Sequence, residues 1–225
     1  MHDSVYGVSD IDYHEGRQQK RALIYRLRRR TDEVERALRC YADGPLQVVA
    51  DLGTADGLML DELRRRLGSL FYLGIDLSFA LLRVNPSEGV TKIQADALVV
   101  PLRSGVADAV IATAVIEHVS DPLAMMRECV RISRPGGLLV LTTPDPLMER
   151  ISSAIGLLKE EGHQHTLKIA DLCDMASASG TQVLESRKFM FSPVGFPAEK
   201  TIERIFGPVG LNLVMANQLL VARKV

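Results

Sequence analysis

The sequence predicts an α/β fold: a doubly wound, mostly parallel seven-stranded sheet with helices on both faces and an antiparallel terminal strand. Three observations predict it. Short apolar runs alternate with amphipathic segments from residue 47 onward. The runs are apolar on both faces, as strands covered on two sides must be. Finally, the last two runs have no clear full-length helix between them, so they read as an antiparallel pair completing the sheet.

Residues 17–40 suit a helix, with Leu23, Leu27, Val34 and Leu38 at helical spacing, and Asp43-Gly44-Pro45 breaks it. Strands are expected at 47–50, 70–75, 90–95 and 107–113, with helices at 58–67 and 79–84. Asp121-Pro122 has the pattern of an N-cap followed by proline at the first helical position, opening a helix through Ile132. Pro135-Gly136-Gly137 is read as the end of that helix and the turn into a strand at 138–142. A helix at 166–179, closed by Gly180, leads to strands at 182–191 and 211–223. The expected organisation is an N-terminal helical lid segment (1–44) and one domain (45–225), with 145–166 as a substrate-covering insertion.

Composition excludes several classes. Of 225 residues, 47% are hydrophobic and 24% charged, which is globular rather than disordered. Apolar runs such as Leu138-Leu139-Val140-Leu141 fall far short of the roughly 20 residues that cross a bilayer. The opening Met1-His2-Asp3-Ser4 has no apolar run behind it, so no secretory signal is expected. Cys40, Cys129 and Cys173 are odd in number and form no CxxC pair, against a disulfide framework or a structural zinc site. A reduced, cytoplasmic protein is the expectation. The basic stretch Arg17 to Arg39 has two readings, a nucleic-acid surface or a solvated helix. Asp32, Glu33 and Glu35 stand four residues from arginines, and no aromatics interleave, which favours the helix and disfavours nucleic acid.

The chemistry is expected beyond the carboxyl ends of the strands, where strand order reverses. The first strand runs into Asp51-Leu52-Gly53-Thr54-Ala55-Asp56-Gly57. Small residues there let the backbone turn tightly and approach a ligand. G-x-G-x-x-G would need glycine at 55 and 58, where Ala55 and Leu58 stand, and the Lys-Ser/Thr of a phosphate loop is missing. Asp51 would repel a pyrophosphate and suits a cationic ligand. Asp76, ending the second strand beside Leu77, can accept from a ribose diol; alternatively it caps the following helix, a role open to Ser78 as well. Asp96-Ala97, after the third strand, can accept from an adenine amino group. After the fourth strand comes Thr113-Ala114-Val115-Ile116-Glu117-His118.

These motifs resemble class I S-adenosylmethionine-dependent methyltransferases, of the small-molecule group related to ubiquinone and menaquinone biosynthesis. Asp51-x-Gly53-x-Ala55-x-Gly57, Asp76, Asp96-Ala97, the segment from Ala109 to His118 and Arg131 to Val140 match the family's motifs in order. The resemblance implies a Rossmann-like fold and S-adenosylmethionine as cofactor, with S-adenosylhomocysteine as product. It implies cofactor contacts from Arg17, Asp51, Gly53, Thr54, Ala55, Gly57, Asp76, Leu77, Asp96, Ala97 and Thr113. Two departures stand out. Ala55 replaces the middle glycine, adding a methyl group beside the methionine moiety. Ala114 stands where metal-using relatives carry a further glutamate, so no metal is expected at Glu117 and His118, which read as pocket-shaping.

A sulfonium methyl is already activated, so alignment and exclusion of water are the main tasks. His163 and His165 are the candidate bases, the alternative being an inert surface loop. Tyr13, His14 and Arg17 are expected to precede the first helix, with Arg17 facing either the cofactor carboxylate or solvent. Met148, Ile151, Ile155 and Leu158 form an apolar stripe. Phe189, Phe191, Phe196 and Phe206, with Pro193, Pro197 and Pro208, line an acceptor site or the core. The expected partner is a small-molecule acceptor, apolar or lipid-linked, taken by a monomer or homodimer.

Overall fold

A computed structural model describes residues 10–85, 87–154, 164–192, 194, 195, 199, 201, 203 and 215–225. Two helices come first, α1 (Asp10–Gln19) and α2 (Arg21–Tyr41). The alternation follows as β1 (Val48–Leu52), α3 (Leu58–Leu67), β2 (Phe71–Asp76), α4 (Phe79–Val84), β3 (Val90–Gln94) and β4 (Ala107–Thr113). It continues through α5 (Pro122–Ile132), β5 (Ser133–Pro144), α6 (Pro146–Ala154) and α7 (Ile169–Ala178) to β6 (Thr181–Phe189) and β7 (Asn217–Lys224).

The seven strands form one sheet in the order β3-β2-β1-β4-β5-β7-β6. Strands β1 to β5 are mutually parallel, and β7 runs antiparallel to both β5 and β6. The expected terminal pair is therefore present, with β7 inside the sheet. Alternate residues of each strand feed two cores. Val49, Ala109, Ile111, Val140 and Val221 pack with α2 and α3 through Val34, Leu38, Met59 and Leu63. On the other face Ala50, Val110, Leu139 and Leu220 meet Met125, Met126 and Cys129 of α5 and Leu172 of α7. Strand order reverses between β1 and β4, which fixes where a ligand crevice opens.

Three expectations are corrected. The N-terminal helix is broken at Lys20, whose extended backbone (φ −82°, ψ 117°) separates α1 from α2. Tyr13, His14 and Arg17 therefore lie within a helix rather than ahead of one. Helix α5 ends at Ile132 as expected, but Pro135-Gly136-Gly137 do not end it; they belong to an irregular start of β5. There Gly136 takes φ +72°, and a Cβ on Gly137 would stand 2.8 Å from the Arg134 carbonyl oxygen. Ile155, Leu158, Pro193, Phe196, Pro197, Phe206, Pro208 and residues 211–214 lie outside the described residues. Phe189 is fully buried in the core.

The basic helix is tied to carboxylates of the same chain. Arg36 donates to Glu185 and Glu33, Arg29 to Glu203, and Arg39 to Glu35. Asp32 pairs with Arg66 of α3. No helix among the described residues is long and apolar enough to cross a membrane.

Candidate active site

The β1–α3 turn is built by its neighbours. The N–H groups of Gly53 and Thr54 both donate to the Ile75 carbonyl, at 2.8 and 3.0 Å. A Cβ on Gly53 (φ +76°) would stand 2.5 Å from a methyl of Val115, so no larger residue fits beneath the β4 loop. Thr54 turns its methyl onto Gly74 of β2, where a Cβ would stand 2.9 Å away. Ala55 adopts left-handed backbone, φ +53°, the conformation that favours the glycine it replaces. Gly57, φ +78°, caps α3.

Asp76 holds this turn from the second strand. Its Oδ2 accepts the Ala55 N–H at 2.7 Å and its Oδ1 accepts the Ser78 N–H at 2.9 Å. Ser78 itself caps α4 by accepting from the Leu81 N–H. Helix capping therefore falls to Ser78, while the carboxylate spans the first two strand ends. Asp96 accepts the Leu98 N–H at 2.9 Å and is solvent-exposed.

Asp51 is the unusual group. It is 1% exposed, and its Oδ1 has no hydrogen-bond partner among the described residues. Burial pushes its carboxyl up to about 7, with Asp76 and Asp56 adding to the rise while Thr54 and Arg17 oppose it. A buried acceptor with an empty lone pair at a strand end suits a cationic ligand group, as an amino-acid ammonium or a sulfonium is. The observation fits the cofactor expected from the motifs.

A crevice of about 240 Å³ opens beyond the strand ends, lined by Gly53, Ile75, Asp76, Leu77, Ala95, Asp96, Ala97 and Leu98 on one side. Val115, His118, Val119, Ser120 and Gln164 line the other. Of the expected cofactor residues, Gly53, Asp76, Leu77, Asp96 and Ala97 meet here. Asp51, Thr54, Ala55 and Gly57 belong to the turn behind the lining. Thr113 points its hydroxyl at the Met59 sulfur, 3.7 Å away on α3. Arg17 donates to Asp56 at 2.7 Å.

On the acceptor side, Glu117 is buried and receives the Thr143 hydroxyl at 3.1 Å, joining the ends of β4 and β5. The N–H groups of Gln164 and His165 both donate to the Glu117 carbonyl, at 2.9 and 3.1 Å. The His165 Nε2 lies 3.3 Å from the Ser120 carbonyl oxygen. A carbonyl only accepts, so this contact puts the proton on Nε2 and leaves the lone pair on Nδ1. His163 lies outside the described residues.

The motif reading missed Asp56, fully buried between Ala55 and Gly57, and the lining residues Val115, Val119 and Ser120, whereas His118, read as pocket-shaping, does line the crevice. The signal for Asp56 was a carboxylate in a turn otherwise made of small residues. Val119 and Ser120 carried none beyond their place after a strand.

Residues 50–141 match the family described as a methyltransferase domain. The chain carries a methyltransferase domain. It is 32% identical over 162 residues to a malonyl-[acyl-carrier protein] O-methyltransferase of a Marinomonas species, covering 68% of this chain and 60% of that protein. A ubiquinone biosynthesis O-methyltransferase of Xanthomonas oryzae pv. oryzae is 37% identical over 102 residues, 42% of each chain. The chain spans about half the length of the curated relatives that this methyltransferase domain matches. A solved SAM-dependent methyltransferase from Thermotoga maritima shares the fold, with a TM-score of 0.67 at 16% identity over 96% of this chain and 95% of that one.

Proposed function

We propose that this methyltransferase domain binds S-adenosylmethionine in the crevice and transfers its methyl group to a small-molecule acceptor, leaving S-adenosylhomocysteine. One observation carries the reading: the adjacent strands β1, β2 and β3 end in or lead into Asp51, Asp76 and Asp96 on one side of the switch point, and the buried Asp51 keeps Oδ1 without a hydrogen-bond partner among the described residues. The cofactor would supply an already activated methyl group.

The chain's own residues then have four tasks. Asp76 and Asp96 accept from the hydroxyls and amino group of an adenosine, and Leu77 and Ala97 cover its faces. Asp51 provides negative charge beneath the cationic end. The β4 loop, pinned through Glu117 to Thr143 and to the backbone at 164–165, closes the crevice wall against water. His165 offers Nδ1 as a base for a hydroxyl acceptor, while a phenolate or amine needs none. Leu147 and Ile151 of α6, the helix that follows β5, stay 43% and 42% exposed. That apolar stripe supports an apolar or lipid-linked acceptor. The ion pairs of Arg29, Arg36 and Arg39 with carboxylates of the chain weigh against a nucleic-acid acceptor.

Calorimetric titration with S-adenosylhomocysteine, with NAD as the control, tests the cofactor. Micromolar binding of the first alone is expected. Binding of NAD alone, or of neither, would overturn the reading.

A further inference from the structure

The crevice lining includes Gly53 but not the rest of the glycine turn, which is met instead by α1 through Asp56, with Arg17 near enough to Asp51 to act on its charge. The helix packs on α2 and α4 and so bridges the turn. It reaches the turn through a buried carboxylate. Asp56 is fully buried, with Arg17 Nη1 at 2.7 Å from Oδ1 and His14 Nδ1 at 2.9 Å from Oδ2. Gln18 lies 2.9 Å from His14 Nε2, so its amide N–H donates there and leaves the His14 proton on Nδ1, facing Asp56. Tyr13 stacks under the Arg17 guanidinium, 5.6 Å from its ring centre. Tyr13 and Gln18 thus orient Arg17 and His14, the two groups that grip Asp56.

A guanidinium held at the end of a crevice for an amino-acid-bearing adenosine is the natural partner of a ligand carboxylate. Here a carboxylate of the protein already fills that place. We propose that Asp56 is a specificity residue that occupies Arg17 in the free protein, and that Arg17 exchanges it for the carboxylate of the adenosine ligand's amino-acid arm. The exchange leaves no orphan: Asp56 keeps His14 and the Leu58 N–H, which already donates to Oδ1 at 3.2 Å. It also makes the turn selective. An adenosine lacking a carboxylate gains nothing from Arg17 and leaves α1 fastened to the turn. The inference rests on the adenosyl-cofactor reading above.

The test compares S-adenosylhomocysteine with methylthioadenosine, which keeps the nucleoside and sulfur but has no amino-acid arm. Arg17→Ala should weaken S-adenosylhomocysteine about tenfold or more, the scale of one charge-assisted hydrogen bond, and leave methylthioadenosine unchanged. Asp56→Asn should tighten S-adenosylhomocysteine several-fold, because the competitor has lost its charge, again without moving methylthioadenosine. Asp56→Ser, which keeps an acceptor for the Leu58 N–H, guards against a folding defect and should behave alike. Hydrogen exchange of the α1 amides should change with S-adenosylhomocysteine and not with methylthioadenosine. If both Asp56 variants weaken both ligands equally, or leave S-adenosylhomocysteine unmoved, the exchange is wrong although the cofactor reading stands. If the wild-type protein binds neither ligand, both fall.

Discussion

Asp76 accepts the backbone N–H of Ala55 at 2.7 Å, so the carboxylate that closes the second strand also holds the turn after the first. Its Oδ1 accepts the Ser78 N–H, and the same residue lines the crevice. Asp76→Ala should therefore lose ligand affinity twice over, through the diol acceptor and through a loosened turn. A drop of at least tenfold in S-adenosylhomocysteine affinity is expected, on the scale of hydrogen bonds to a charged group. An unchanged dissociation constant would remove Asp76 from the site.

Asp51 makes the free protein sensitive to pH. Its carboxyl titrates near 7 when folded against 3.8 as the ordinary value. Between those values the folded state holds the extra proton, so this group's contribution to stability falls as pH rises from about 4 to 7. Asp51→Asn should raise the ligand-free Tm at pH 8, by roughly 2–4 °C for each kcal/mol of the removed penalty. The gap between variant and wild type should close toward pH 4. A gap independent of pH would show that the carboxyl is not the source.

Ala55 carries a cost that glycine would not. An L-residue in left-handed backbone loses roughly 1–2 kcal/mol, partly offset by the lower entropy of its unfolded chain. Ala55→Gly should stabilise the protein by about 0.5–1 kcal/mol, read as a higher denaturant midpoint with an unchanged slope. A destabilised variant would mean that the alanine methyl packs usefully in the turn.

For His165, geometry separates a binding role from a chemical one. The side chain meets the Ser120 carbonyl and not the strand-end aspartates. His165→Ala is expected to leave S-adenosylhomocysteine affinity within about twofold, since surface substitutions of this kind shift free energy by about 0.5 kcal/mol or less. With a hydroxyl acceptor, turnover should fall by roughly a hundredfold or more, the lower range for a positioned base. Full activity with such an acceptor would assign the histidine to the loop alone.

The sheet was legible because its strands are short and apolar on both faces, and β4 and α4 fall on their expected bounds. Asp121 was legible as a cap because its side chain accepts the Ala124 N–H at the start of α5, as the Asp-Pro pattern requires. The break at Lys20 was not, since lysine is a good helix former and the interruption depends on where α1 must lie against α4. Nor was the entry to β5, where Gly137 lets the backbone approach Arg134 and extends the strand through a motif that reads as a turn. Spacing located Asp51, Asp76 and Asp96. It could not tell that Asp56 points at α1, because the partners Arg17 and His14 sit 39 and 42 residues away.

The place of β7 between β5 and β6 has a consequence for how the chain is made. Among the described residues strand β6 has only β7 as a neighbour, yet it leaves the ribosome first. During synthesis its Phe189 and its backbone edge must wait, unpaired, until residues 217–224 have emerged to insert beside β5. The first five strands can assemble as they appear, whereas the far side of the sheet forms in one late step. That step is when a nascent chain of this protein is most exposed to a chaperone or to a second copy of itself.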